Sequence, residues 1–156
     1  MMSGIRGRNT KIEMMVRKAL HARGLRYRLH SRKLPGKPDM AFASAKAAVF
    51  MNGCFWHGHN CPLFRLPGTN TEFWRNKIDG NRARDERSLE ALEALGWRTA
   101  VVWECAMRGR PVQEFTELVS GLESWIRTGS GNIERRGPVP DNATPSAMPL
   151  SPGPTL

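Results

Sequence analysis

The segment from Met51 to Cys61 constrains this chain more than any other, because it places metal-type ligands and aromatic side chains on one short stretch. It contains two of the three cysteines, two of the four histidines and the adjacent pair Phe55-Trp56. An ordinary soluble domain buries its aromatic residues and scatters such ligands along the chain. The combination predicts a loop that is clamped by a metal and carries apolar side chains.

The ligands in and near this loop form a recognisable donor set. Cys54, His59 and Cys61 lie close together, and Cys105 follows a predicted strand whose end could approach them. Three thiolates and one imidazole make a closed tetrahedral zinc site of the structural type. Because the spacing is not the familiar C-x2-C, three ordinary reduced cysteines remain an alternative. A catalytic zinc that uses His57 is disfavoured, since the chain has no His-Glu-x-x-His motif.

The composition sets the class of protein. With 156 residues there is room for one domain with a real core, and a net charge of +10 favours a polyanionic partner such as nucleic acid over a merely basic surface. No apolar run reaches the length of about 20 residues that a membrane span needs, and no signal peptide is visible. Three cysteines are too few for a secreted disulfide scaffold, which favours a reducing cytoplasm.

Hydrophobic periodicity predicts the order helix, three strands, helix, strand, helix, and therefore an α/β fold in which helices flank a mixed sheet. The predicted ranges are a helix over 10–23, strands over 25–29, 39–42 and 47–51, a helix capped by Thr71 over 71–95, a strand over 97–103 and a helix over 115–126. A basic arm precedes them at 1–8. The composition predicts one domain over 1–127 and a disordered Pro/Gly/Ser-rich tail over 128–156.

Three polar residues are candidates for catalysis. Asp39 begins a strand after a proline, where a carboxylate could bind Mg²⁺, although a turn aspartate commonly accepts backbone amides. His57 is not needed for the zinc set and could activate water, with Asp85 to orient it. The alternatives are a solvated loop histidine and a helix-surface aspartate that pairs with Arg82 or Arg84.

Three large aromatics, Phe55, Trp56 and Trp74, lie on or just after the loop. In a strongly basic protein such side chains could wedge into a stack of bases. Core packing beneath a zinc loop is the alternative for each of them.

Over about residues 5–127 the chain resembles the very-short-patch mismatch repair endonucleases. The resemblance is carried by Leu34-Pro35-Gly36-Lys37-Pro38-Asp39, Gly53-Cys54-Phe55-Trp56-His57 with His59 and Cys61, Thr71-Glu72-Phe73-Trp74, Leu95-Gly96-Trp97-Arg98 and Val102-Trp103-Glu104-Cys105. It implies a core like that of type II restriction endonucleases, with a structural zinc. It also implies Mg²⁺-dependent nicking of double-stranded DNA on the 5′ side of a thymine mispaired with guanine, a mismatch that arises when 5-methylcytosine deaminates.

The resemblance also assigns roles to individual positions. Asp39 and the backbone carbonyl of Met51 match the contacts to Mg²⁺, His57 and Asp85 match the general base and its carboxylate partner, and Glu13 matches an acidic residue near the metal waters. The zinc ligands match Cys54, His59, Cys61 and Cys105. The aromatics that intercalate beside the mismatch match Phe55, Trp56 and Trp74.

One departure from the family pattern concerns catalysis. The best-known members have Thr-His where this chain has Met51-Asn52. Asn52 cannot carry a proton, although it can hydrogen-bond a phosphate or a metal-bound water. Two alternatives therefore stand beside a mismatch nuclease: a restriction-type endonuclease without mismatch preference, and a zinc-stabilised DNA-binding protein with weakened catalysis. In each case we expect a monomer in the bacterial cytoplasm that associates with the nucleoid when it acts.

Overall fold

A computed structural model of the chain describes residues 10–137, which form three α-helices and a five-stranded sheet. In chain order the elements are α1 (Lys11–Ala22), β1 (Arg28–Leu29), β2 (Met40–Phe42), β3 (Ala47–Asn52), α2 (Thr71–Ala94), β4 (Arg98–Trp103), α3 (Val112–Thr128) and β5 (Ile133–Arg135). The predicted α/β class is confirmed. The predicted basic arm at 1–8 and the segment 138–156 lie outside the described residues.

The sheet is mixed, with the strand order β1-β2-β3-β4-β5. The strand β2 is antiparallel to both β1 and β3, whereas β4 is parallel to β3, and β5 is parallel to β4. The parallel pair β3 and β4 requires a long crossover, which α2 provides. As a result, the amino end of β2 and the carboxyl ends of β1, β3 and β4 all meet at one end of the sheet, here called the site end.

The two faces of the sheet have different coverings. Ala100 and Val102 alternate along β4 and join the main core, in which α1 and α3 pack against the sheet. The helical part of that core consists of Val16, Leu20, Leu118, Val119, Leu122, Trp125 and Ile126. Val101 belongs to the opposite face, where it lines a cavity with Ser88 and Leu89 of α2. Among the described residues, no helix combines the length and apolar character of a membrane span.

The start of α1 buries a charged residue. The hydroxyl of Thr10 accepts a hydrogen bond from the backbone N–H of Glu13 at 3.1 Å, so the predicted cap is present. The side chain of Glu13 is 0% exposed, and its carboxylate contacts Arg17 and His30. An acidic residue this deeply buried requires such partners, and they tie α1 to the site end.

Two predicted element starts are wrong. The first strand is limited to Arg28–Leu29, because β1 pairs with the first two residues of β2 only, while Leu25 is buried in the core. Thr71 does not cap α2 but is its first helical residue, and Asn70 occupies the cap position with a left-handed φ of 56°. The Thr71 hydroxyl instead donates to the carbonyls of Pro67 and Gly68.

The prediction that a disordered tail begins at 128 is also wrong for the first ten residues of that range. α3 continues to Thr128, and Ile133–Arg135 then pair with β4 as a parallel edge strand. The Trp125 indole donates to the carbonyl of Gly131 at 2.9 Å, and the Thr99 N–H donates to the side chain of Asn132 at 2.9 Å. A short edge strand forms backbone hydrogen bonds with groups of β4 that would otherwise be unpaired. Such pairing does not require apolar side chains, so the polar composition did not indicate a strand.

We predict that Leu122→Ala destabilises the fold by about 2–5 kcal/mol, because it opens a cavity between α3 and the sheet. Leu122 is 0% exposed and lies in the main core. Val112→Ala, in the same helix but at a position that is 80% exposed, serves as the control and should cost within about 0.5 kcal/mol. Urea unfolding of both variants measures the difference, and equal losses would contradict this description of the core.

Candidate active site and metal centre

The four predicted metal ligands meet at the site end of the sheet, here called the Cys/His cluster. Nδ1 of His59 lies 3.5 Å from Sγ of Cys54 and 3.5 Å from Sγ of Cys105. With Cys61 the set is complete, and its donor atoms all lie within 4.8 Å of one another. The strand β3 delivers Cys54, and the parallel strand β4 delivers Cys105, because both residues follow adjacent carboxyl ends. The cluster could therefore hold a metal ion.

Burial governs the protonation of the side chains in the cluster. Burial raises the pKa of the Cys54 thiol and lowers the pKa of His59 to about 4, so the imidazole is neutral near pH 7. Neutral imidazole is the form that binds metals. Its ring stacks on Trp103, with centroids 3.9 Å apart, which fixes the direction of Nδ1. Nε2 of His59 is buried and has no hydrogen-bond partner among residues 10–137.

The last described residues close the cluster from the other side. The N–H of Gly137 donates to Sγ of Cys105 at 3.3 Å, and the guanidinium of Arg136 donates to the carbonyl of Asn60 at 2.8 Å. On the inner side of the loop, the N–H of Cys54 donates to Glu104 at 3.2 Å. No sequence pattern pointed to Arg136 or Gly137, because both lie in a polar segment. Arg136 contacts a residue 76 positions earlier in the chain.

A second group of ligands surrounds Asp39. Its Oδ2 accepts a hydrogen bond of 2.7 Å from the N–H of Met51. Nε2 of His30 lies 2.9 Å from Oε2 of Glu13 and 3.7 Å from Oδ1 of Asp39, and these three side chains could hold a second ion. The predicted residues Glu13, Asp39 and Met51 are thus brought together. His30 was missed, and only the pairing of β1 with β2 places it opposite Asp39.

The predicted pair of His57 and Asp85 is in contact. Nδ1 of His57 makes a short hydrogen bond with Oδ2 of Asp85, which reaches the loop from α2. The alternative partner of Asp85, Arg84, bonds instead to the side chain of Asn81. With Nδ1 engaged, Nε2 is the nitrogen of His57 that can act on another molecule. The loop is held against α2 here, since a Cβ at Gly58 would lie 2.5 Å from Ile78.

One cavity of about 540 Å³ unites most of the predicted catalytic positions. The polar residues that line it are His30, Lys37, Asp39, Asn52, His57, Asp85 and Ser88, together with Met51. Asn52, at the carboxyl end of β3, shares this cavity with two imidazoles and two carboxylates. Lys37 adds a cation that the sequence analysis did not single out, on the turn that precedes Asp39. The cavity combines groups that can bind a divalent cation, an anion and a proton.

The three predicted aromatics form one half-buried patch beside the cavity. The ring centroid of Phe55 lies 5.2 Å from that of Trp56 and 5.6 Å from that of Trp74, and the two tryptophans are 6.0 Å apart. The amide of Asn81 donates to the carbonyl of Trp56 at 2.9 Å and fixes the backbone there. Phe73, which is 59% exposed, extends the patch at its outer edge, although the sequence analysis named it only as part of a motif.

We predict that Gly137→Ala destabilises the protein by about 1–3 kcal/mol and exposes the cysteines. A Cβ at Gly137 would lie 2.3 Å from the carbonyl oxygen of Cys105, so the backbone there must shift, which disturbs the hydrogen bond to the sulfur. Thermal unfolding and the rate of reaction with a thiol reagent measure the effect. Gly68→Ala is the matched control, because a Cβ at Gly68 meets no atom within 4 Å. Equal behaviour of the two variants would show that the contact at Gly137 does not support the cluster.

Comparison with known proteins identifies relatives of this chain. Residues 1–63 match the family model described as DNA mismatch endonuclease Vsr. The DNA mismatch endonuclease Vsr of Escherichia coli is 42% identical over 138 residues, which cover 87% of this chain and 88% of that protein. The type II nicking enzyme V.XorIIP of Xanthomonas oryzae pv. oryzae is 49% identical over 107 residues, which cover 69% of this chain and 79% of that protein. The resemblance inferred from the motifs is thereby confirmed, and the chain belongs to the Vsr family of DNA mismatch endonucleases.

Proposed function

We propose that this protein nicks double-stranded DNA on the 5′ side of the thymine in a T:G mismatch, in a reaction that requires Mg²⁺. The observation that carries the proposal is the single cavity in which Asp39, His57 and Asp85 meet beside the aromatic patch. A mismatch endonuclease as similar as the Escherichia coli relative supports the choice of substrate. The net charge of +10 suits a polyanionic duplex.

The Cys/His cluster is proposed to hold a structural zinc. Zinc bonds of about 2.3 Å to sulfur and about 2.0 Å to nitrogen, arranged tetrahedrally, put those two ligand atoms roughly 3.5 Å apart. The distances from His59 to the sulfurs of Cys54 and Cys105 are both 3.5 Å, so the donor set fits. All four positions are filled by the protein, as in sites that stabilise a fold rather than catalyse.

Asp39 is proposed to bind the catalytic Mg²⁺ together with the backbone carbonyl of Met51. The N–H of Met51 already fixes one oxygen of Asp39, which orients the carboxylate in the cavity. Hard cations of this kind accept one or two carboxylates and keep several waters, and the buried carboxylate of Glu13 is suited to hydrogen-bond such waters. When bound, the ion supplies positive charge that stabilises the phosphate as its bond to the leaving oxygen breaks.

His57 is proposed to act as the general base. Its Nδ1 is bound to Asp85, which holds the ring in one orientation and stabilises the imidazolium that forms when Nε2 accepts a proton from water. The water oxygen then forms the new bond to phosphorus while the bond to the 3′ oxygen breaks. The 3′ oxygen takes a proton from bulk water and His57 returns its proton to solvent, which leaves a 3′-hydroxyl and a 5′-phosphate. Asn52 is proposed to hydrogen-bond the phosphate or a metal-bound water, as an amide can without a change of charge.

Phe55, Trp56 and Trp74 are proposed to recognise the mismatch by intercalation. A T:G wobble pair is less stable than a matched pair, so separating the bases beside it costs less. Unstacking one step costs about a few kcal/mol, which stacking on aromatic rings can offset. The Cys/His cluster and α2 hold the aromatic patch from two sides. Little conformational entropy is therefore lost when the patch binds DNA.

The organisation of the chain follows from the same reasoning. We propose one nuclease domain that contains 1–127 and extends through β5, with a tail beyond it of no assigned role. It would act as a monomer in the bacterial cytoplasm, at the nucleoid. A restriction-type nuclease without mismatch preference and a DNA-binding protein without catalysis remain the competing functions. Incubation with Mg²⁺ and either a T:G duplex or the matched duplex distinguishes them, because only the proposed enzyme nicks the first and spares the second.

We predict that Asp39→Asn lowers the rate of T:G nicking by about 100-fold or more, since the ion loses its charged ligand. The amide oxygen of asparagine can still accept the hydrogen bond from Met51, so the fold and DNA binding should persist. Gel-resolved nicking and duplex binding measure the two properties. Metal analysis should find one zinc per chain in both proteins. A variant that nicks at a comparable rate would show that the catalytic ion binds elsewhere. If protein purified without chelator contains no zinc, the proposal of a structural zinc is wrong.

We predict that Trp56→Ala weakens binding to a T:G duplex by about tenfold or more, because stacking on a base contributes roughly 1–3 kcal/mol. Binding to the matched duplex should change by less than about twofold. Trp97→Ala is the matched control, since Trp97 precedes β4 at the end of the sheet opposite the cavity. Fluorescence anisotropy on both duplexes measures the affinities. If Trp56→Ala weakens both duplexes equally, the side chain does not recognise the mismatch.

A further inference from the structure

We propose that His30 is a ligand of the divalent cation in the active-site cavity and forms a mixed nitrogen–oxygen site with Asp39, next to Glu13, whose carboxylate faces the waters of the ion. The imidazole would make this site favour Mn²⁺ relative to Mg²⁺ more than its carboxylates alone do. The proposal rests on the proposed function in one respect, because it concerns the same cation that Asp39 binds for the nicking reaction.

The distances fit a shared ion. Nε2 of His30 lies 2.9 Å from Oε2 of Glu13 and 3.7 Å from Oδ1 of Asp39, and the three donor atoms are within 4.8 Å of one another. Neighbouring ligands of an octahedral ion at about 2.1 Å are roughly 3 Å apart. The separation of 2.9 Å between His30 and Glu13 matches that spacing, and the separation of 3.7 Å between His30 and Asp39 is wider than it.

The backbone fixes which oxygen of Asp39 meets His30. The N–H of Met51 occupies Oδ2 at 2.7 Å, whereas Oδ1 is the oxygen nearest to Nε2 of His30. The N–H of His30 in turn donates to the carbonyl of Asp39 at 3.2 Å, which extends the pairing of β1 with β2 by one residue. The sheet register therefore sets the spacing of the two ligands before any ion binds.

The conformation of His30 is unusual for a residue with a side chain. Its φ is 48°, in the left-handed region that glycine adopts most readily. Histidine adopts this conformation more often than most residues with a side chain, and Lys37, Lys46 and Asn70 adopt it as well. The side chain is 14% exposed and lines the cavity, so the imidazole is held between two acidic groups rather than solvated.

Two carboxylates lie beside His30. Oε2 of Glu13 also contacts the guanidinium of Arg17 at 3.4 Å. An imidazole ligand adds a donor to such a site without adding negative charge. Nitrogen ligands bind transition ions more readily than Mg²⁺, which prefers oxygen and gives up its waters reluctantly.

The test measures metal binding to the full-length, zinc-loaded protein. Mn²⁺ affinity is determined by electron paramagnetic resonance of the free ion, and Mg²⁺ affinity by competition against Mn²⁺. In His30→Gln, whose amide can still hydrogen-bond both carboxylates, we expect Mn²⁺ affinity to fall by about tenfold or more and Mg²⁺ affinity by less than about threefold. His21→Gln, at an exposed position of α1, is the matched control and should change neither.

A spectroscopic signature separates a ligand from a supporting residue. The bound Mn²⁺ should show electron spin-echo modulation from a directly coordinated ¹⁴N nucleus, and that modulation should disappear in His30→Gln. If the modulation survives in the variant, or if both ions lose affinity equally, His30 only bridges the carboxylates and the proposal is overturned.

Nicking of the T:G duplex is measured on the same preparations. A wild-type protein that fails to nick but shows the His30-dependent nitrogen signal would overturn the proposed function and leave the cation site standing. Mismatch-specific nicking without that signal would overturn the cation site and leave the proposed function standing.

Discussion

The pairing of β3 with an antiparallel strand on one side and a parallel strand on the other is the constraint on which the rest of the structure depends. It brings the start of β2 and the ends of β3 and β4 to the same end of the sheet. Asp39, Asn52 and Cys105 are far apart in sequence, yet each lies at or next to a strand terminus at this end. The hydrogen bond from Met51 to Asp39 is a direct product of that register.

One loop carries both cluster residues and His57 of the cavity. A stable Cys/His cluster therefore helps to hold His57 in position. Trp103 lies between them, since its ring stacks on His59 and meets the edge of His57 at 6.0 Å. A change in the position of His59 would therefore be transmitted to the proposed general base through a rigid aromatic ring. The contacts of the loop with α2, at Gly58 and Asp85, complete the support.

Local patterns predicted much of the molecule, and long-range pairing accounts for the rest. The grouping of Cys54, His59 and Cys61 could be predicted because they lie within one loop, and the helices followed from periodicity. His30 could not, because its nearness to Asp39 depends on a strand of only two residues. The edge strand β5 was missed because it adds to the sheet through backbone groups, which leave no mark in the composition.

The hydrogen bond from Gly137 to Cys105 has a consequence for the order of events during synthesis. The Cys/His cluster begins at Cys54 but is not closed until a residue 32 positions beyond Cys105 has left the ribosome. Chains grow at about 5–20 residues per second and fold from the amino end, so the first cysteines wait several seconds for their last partner. During that interval the thiols lack the surroundings that bury Cys54 and Cys105 in the folded protein. The order of synthesis therefore sets how long these cysteines stay outside their folded environment.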